Sequence, residues 1–240
     1  MVEADGQERL TEAGNIFGVE HSPGVVVAVD GPSGSGKSSA SRGVARALGL
    51  RYLDTGAMYR ALAWWMLNRG VDVADGNQVA ALAGAPEITV STDPGDQWTR
   101  VDGRDVTSAI RERTVTTSVS LVARVPAVRE HLIAEQRAII AAARPGIVAE
   151  GRDIGTVVAP DANVKVFLTA DPGARAARHA ADQGTTPAQT ESDQDRRDRL
   201  DAAQSAKATD AILLDSTNLT LDEVVAEIVD LTHRIPEKTS

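Results

Sequence analysis

A chain of 240 residues, 42% of them hydrophobic, is long enough to bury one full core and too apolar to be disordered throughout. A net charge of -9 argues against general affinity for nucleic acid or anionic membranes, which need a cationic surface, and the lack of cysteine excludes disulfides and thiolate metal sites. The longest apolar stretches, such as ALAWWML at residues 61–67, fall short of the roughly 18–20 residues of a membrane span, so no membrane partner is expected and a reducing cytoplasm fits best.

Residues 1–23 are acidic and polar, without the cationic start and apolar run of a secretory leader, and read as a flexible tail ahead of one folded unit over 24–240. VVVAVD at 25–30 is short, β-branched and continuously apolar, as in a strand buried on both faces of a parallel sheet. A glycine-rich turn follows, then Val44, Ala45, Ala47 and Leu48 at helical spacing up to a stop at Gly49. Residues 51–54 make a second extended piece, and Thr55 is expected to cap a helix through Ala57, Leu62, Trp65 and Met66 that closes at Gly70.

Over about 75–107 the character changes. Residues 87–91 alternate as a strand and Asp102-Gly103 signals a hairpin, which predicts a small β-containing insertion. Helical pattern resumes near Ile110, breaks at Pro126 and runs on over 127–143; residues 147–149 and 164–168 are further strands. Asp171-Pro172 opens the next helix, and residues 182–198, polar and almost without large apolar side chains, are expected to be mobile. Residues 211–214 form a last strand, and Thr220 with Glu223 makes a capping box before the final helix. Strands alternating with helices predict an α/β fold with a central parallel sheet and helices on both faces.

Gly31, Gly36, Lys37 and Ser38 satisfy G-x-x-x-x-G-K-[ST] between a strand and a helix, the context in which that pattern is a phosphate-binding P-loop. The fold class is therefore a three-layer P-loop NTPase, and the loop residues Gly31, Pro32, Ser33, Gly34, Ser35, Gly36, Lys37, Ser38 and Ser39 are the candidate ATP site. Glycines let successive N–H groups converge on a polyphosphate, the helix N-terminus adds partial positive charge, and Lys37 reaches the outer phosphates. Ser38 is the expected Mg²⁺ ligand, with Ser39 as the alternative hydroxyl.

A P-loop serves kinases, GTPase switches and motor ATPases alike. No guanine-reading N-K-x-D is present, and the apolar run 164–168 ends in Thr169 rather than in an acid that would organise Mg²⁺ and water, so the kinase reading gains by elimination. A kinase acting on a phosphorylated acceptor needs cations that offset repulsion between two anionic substrates. Arg60, Arg111, Arg129, Arg152, Arg175, Arg178, Arg196 and Arg197 are the candidates, guanidinium being suited to phosphate by its two-pronged geometry.

DGPSGSGKSS, then LDTGAMYR at 53–60, GRDIGTVVAPDA at 151–162, VRE at 128–130 and LLDST at 213–217 together resemble the bacterial cytidylate kinases, from about residue 25 to the end. The resemblance implies that Asp54, Thr55 and Arg60 line the ribose and phosphate of a CMP acceptor and that Arg152 takes its phosphate. It implies that Ser120, Arg129 and Asp153 read the cytosine edge, Asp153 accepting from the exocyclic amine and Arg129 donating to the ring carbonyl and N3. The acceptor region would then span about 55–130. A lid over about 175–205 would carry Arg175, Arg178 and Arg197 over the triphosphate, with Asp201 on the sugar, and Lys37, Arg152, Arg178 and Arg197 would be the catalytic cations. His179 stands where the family usually has arginine. After Asp201 the chain reads DAAQSAKATD, with Gln204 at a further arginine position, a departure that predicts weaker acceptor binding rather than loss of chemistry.

The function this predicts is transfer of the γ-phosphoryl of ATP, with Mg²⁺, to CMP or dCMP by a cytoplasmic monomer. The alternatives are a nucleoside monophosphate kinase of other or broader base choice, UMP first, a regulator that binds nucleotide without turning it over, and an inactive kinase with an altered lid.

Overall fold

Five short strands with helices packed on both faces pair into one parallel sheet. The computed structural model describes residues 24–175, 196, 198–202 and 205–234. The strands are β1 (Val25–Asp30), β2 (Arg51–Asp54), β6 (Gly146–Gly151), β7 (Val164–Thr169) and β8 (Ile212–Asp215), in the order β2-β6-β1-β7-β8. All four pairings are parallel, and β1 lies at the centre.

The period of two along the strands sorts the core into two layers. Val27, Val29, Tyr52 and Val148 face α1 (Lys37–Leu48) and the last helix, α6 (Leu221–His233). Ala28, Leu53, Ile147 and Ala149 face α2 (Thr55–Asn68), α4 (Arg113–Ala123) and α5 (Pro126–Ala142). Pro126 sits at the first turn of α5, where its missing N–H costs nothing, and the Thr220–Glu223 capping box opens α6 as expected.

The inserted segment contains α3 (Gly76–Ala81) and an antiparallel sheet of β3 (Ile88–Val90), β4 (Thr99–Val101) and β5 (Arg104–Asp105). Its tight turn uses Asp102 at φ 50° and Gly103 at φ 77°, both in the left-handed region, and Trp65 Nε1 of α2 donates to Asp102 at 2.9 Å. The six-residue α3 was not expected; its signal is only Asp75, which accepts from the N–H groups of Asn77 and Gln78. A second correction concerns α2, whose cap is Asp54 accepting from Ala57 N, not Thr55. The Thr55 hydroxyl instead donates 2.7 Å to the carbonyl of Glu150, tying α2 to the neighbouring strand.

The loops after β1, β2 and β6 open at the carboxyl end of the sheet, the edge where open α/β sheets bind ligands. Gly31 has to be glycine there: at φ 148°, a Cβ would lie 2.0 Å from the carbonyl oxygen of Leu168. Asp30, buried at the end of β1, ties this loop to the turn after β6, its two carboxylate oxygens accepting at 2.8 Å from Ile154 N and Gly155 N. Burial pushes its carboxyl pKa up, and those two N–H groups oppose the rise. Asp30→Ala would strand both buried donors, so a loss of about 2–5 kcal/mol is expected in urea unfolding. A loss under about 1 kcal/mol would mean the turn is held by other contacts.

Candidate functional site

A single cavity of about 720 Å³ runs from the phosphate loop at Ser33, Lys37 and Ser38 to Ser120 and Arg129 beneath α4 and α5. At the loop end, Gly34 (φ 75°) and Gly36 (φ 87°) adopt left-handed conformations that turn the backbone around the mouth of α1. Lys37 Nζ donates to the Pro32 carbonyl at 2.7 Å, which folds the ammonium over the cradle. Ser35 is buried, its carbonyl accepting from Ser216, while Ser38 and Ser39 are both exposed at the start of α1.

The arginines come with carboxylates. Arg60 NH2 meets Asp54 at 2.8 Å, and Arg129 pairs with Asp153. Asp153 therefore pairs across the fold with α5, not with its chain neighbour Arg152. Arg152 reaches the other way, donating to the Gly31 carbonyl at 3.0 Å and meeting Asp201 at 3.1 Å and Asp198 at 3.6 Å. Arg175 is buried, donates to the Ser33 carbonyl at 2.9 Å and meets Asp198 at 2.5 Å. Burial opposes ionisation of Asp54, but Arg60, Arg111 and the Ala57 N–H outweigh it and hold its carboxyl below the usual range.

Two acids missing from the sequence reading hold central places. Glu150 stands next to the end of β6, a strand beside β1; its buried carboxyl accepts from Tyr52 at 2.7 Å and lies near the Ser38 side chain. Burial and the nearby Asp54 push its pKa up, against Lys37, Ser38 and Tyr52. Elimination of the ATPase class by lack of a strand-terminal acid therefore does not stand, because that acid is next to the end of β6 rather than on β7. The signal was in view as an acid closing the apolar run IVAE. The other is Asp198, whose carboxylate accepts from Ser33 N at 3.3 Å, so that an anion already sits against the phosphate loop and between two of its arginines.

Of the residues named from the sequence, Thr55, Arg60, Ser120, Arg129, Arg152, Asp153, Asp54 and Asp201 line the cavity together with the loop, and Arg111 and Tyr59 join them. Arg175 lies behind the loop at Ser33. Arg178, His179, Arg197 and Gln204, with most of the expected lid, lie outside the described residues.

A parallel sheet with a phosphate loop after its central strand, facing an arginine-lined acceptor cavity, defines a P-loop phosphotransferase. A sequence model of the cytidylate kinase family matches residues 27–234. The cytidylate kinase of Streptomyces avermitilis is 49% identical over 214 residues, covering 87% of this chain and 93% of that protein. That of Streptomyces griseus is 50% identical, covering 86% and 92%, and that of Nocardia farcinica 47%, covering 85% and 91%. The chain belongs to the cytidylate kinase family. No described helix is long and apolar enough to cross a membrane.

Nucleotide phosphates entering the loop must displace the Asp198 carboxylate from Ser33 and the two arginines. Asp198→Ala removes that competitor, so ATP should bind roughly three- to tenfold more tightly in titration calorimetry without acceptor. Unchanged or weaker affinity would show that Asp198 does not compete for the loop.

Proposed function

We propose that this chain transfers the γ-phosphoryl group of ATP to CMP or dCMP, giving ADP with CDP or dCDP. The observation that carries the reading is the joining, in one cavity, of a phosphate loop at one end and the Arg129–Asp153 pair at the other. A guanidinium and a carboxylate side by side complement the cytosine edge, which offers a carbonyl and ring nitrogen as acceptors and an amine as donor. Uracil carries a carbonyl in place of that amine, and Asp153 would face it with like polarity.

Ribose and acceptor phosphate fall to Thr55, Arg60, Asp54, Arg152 and Asp201, which lie between the two ends. The acceptor's attacking phosphate oxygen is already anionic, so the chain needs no general base; it needs alignment and positive charge. Lys37 and Arg152 supply that charge at the loop, with Arg175 behind it and Arg178 and Arg197 assigned the same task from sequence. Exchange of Asp198 for substrate oxygens would keep the Arg152 guanidinium paired with an anion.

The Ser38 hydroxyl and the adjacent Glu150 carboxylate form a hard-oxygen donor set that suits Mg²⁺, with Ser38 the direct ligand and Glu150 holding it or a bound water. When bound there with the nucleotide, Mg²⁺ neutralises charge on the β- and γ-phosphates. The reading extends to action as a monomer, and the substrates suit a cytoplasmic enzyme.

A coupled assay over CMP, dCMP, UMP, AMP, GMP and dTMP should give the highest kcat/KM with CMP or dCMP. Asp153→Asn should then lower the CMP:UMP ratio about tenfold or more, since the amide presents a donor as readily as an acceptor. Another preferred base, or no acceptor-dependent turnover, would overturn the reading.

A further inference from the structure

Gln136 is 1% exposed, and neither its Oε1 nor its Nε2 has a hydrogen-bond partner. It is one of few fully buried polar side chains beside a largely aliphatic layer, and it stands seven residues beyond Arg129 on α5, hence on the same helical face two turns away. A carboxamide in that position loses its water and receives nothing in return, a cost that methionine or leucine of similar volume would avoid. Buried groups left in this way call for a reason outside stability.

The neighbour supplies it. Tyr59, on α2, lines the acceptor cavity, and its hydroxyl is also buried without a partner. Burial pushes the phenol up to about 12, with the positive charge of Arg129, the negative charge of Asp153 and the amide of Gln136 all acting on it. The hydroxyl thus stays protonated, within reach of both Gln136 and the base-reading pair. Gln136 is near enough to act on the phenol, yet neither side chain has a hydrogen-bond partner. Ser120, on α4, adds a third buried hydroxyl without a partner in the wall of the same cavity.

Resting on the proposed reading of the cavity as a cytosine site, we propose that Gln136 is a positioning residue for base selection, holding the Tyr59 hydroxyl against Arg129 and Asp153 when the base is bound. Gln136 touches no substrate. When the base is bound, the Gln136 amide and the Tyr59 hydroxyl join in a hydrogen bond that fixes the phenol, so that the Arg129 guanidinium and the Asp153 carboxylate keep the spacing that one pyrimidine edge fits. Without it, the phenol is free to turn against that pair and disturb the spacing.

The test compares the wild-type chain with Gln136→Met, Tyr59→Phe and the double variant, measuring KM and kcat for CMP and UMP and the melting temperature of each. For Gln136→Met the CMP:UMP ratio of kcat/KM should fall about tenfold, the weight of one hydrogen bond, through a raised KM for CMP with kcat within about twofold. The melting temperature should hold or rise, because an unsatisfied amide is replaced by an apolar group of similar size. Tyr59→Phe should lower the ratio similarly, and the double variant should lower it no further than either single change. An unchanged ratio in Gln136→Met, or equal loss of turnover with both substrates together with a lower melting temperature, would assign Gln136 a purely structural role and overturn the proposal. A wild-type chain that prefers another base overturns the reading beneath it instead.

Discussion

Two phosphorylated substrates repel one another, and the cavity that joins them has to hold enough positive charge to overcome that repulsion while remaining stable without them. The chain meets this by giving its arginines carboxylate partners: Arg60 with Asp54, Arg129 with Asp153, Arg152 with Asp198 and Asp201, and Arg175 with Asp198. An isolated guanidinium at these depths would carry a desolvation cost that a paired one largely avoids. The same pairing makes the site exchangeable, since a phosphate offers Arg152 and Arg175 the oxygens that Asp198 now provides.

The fold is arranged around that charge. Placing β1 at the centre lets the loop after it, the cap after β2 and the turn after β6 face one opening, and short ties fix their spacing. Asp30 binds the turn at Ile154 and Gly155, Thr55 binds the Glu150 carbonyl, and Glu150 binds Tyr52 near Ser38. Donor and acceptor ends are therefore held by hydrogen bonds between adjacent strands, with the apolar layers beneath them serving as support.

Features whose physics is local in the chain were legible in the sequence. The phosphate loop needs glycines, a lysine and a hydroxyl within eight positions, and the capping box at Thr220 needs four, so both can be read without a fold. The alternation of buried strands and helices was legible for the same reason. The pairing of Arg129 with Asp153 was not, because it depends on how α5 packs beside β6. Glu150 was missed because β1 has two neighbours in the sheet, and the acid was sought on β7, at the end of residues 164–168, when it stands on β6. Gln136 looks like an ordinary polar position on an amphipathic helix until its burial is known, and Asp198 reads as one charge among many in a polar stretch.

The central claim is that one cavity holds both anions together and that the phosphoryl group passes directly between them. Initial rates with ATP and Mg²⁺ varied at several fixed CMP concentrations test it most directly. Intersecting double-reciprocal lines, as required by a complex containing both substrates, are the result predicted; parallel lines, the mark of a phosphorylated enzyme formed before the acceptor binds, would contradict it.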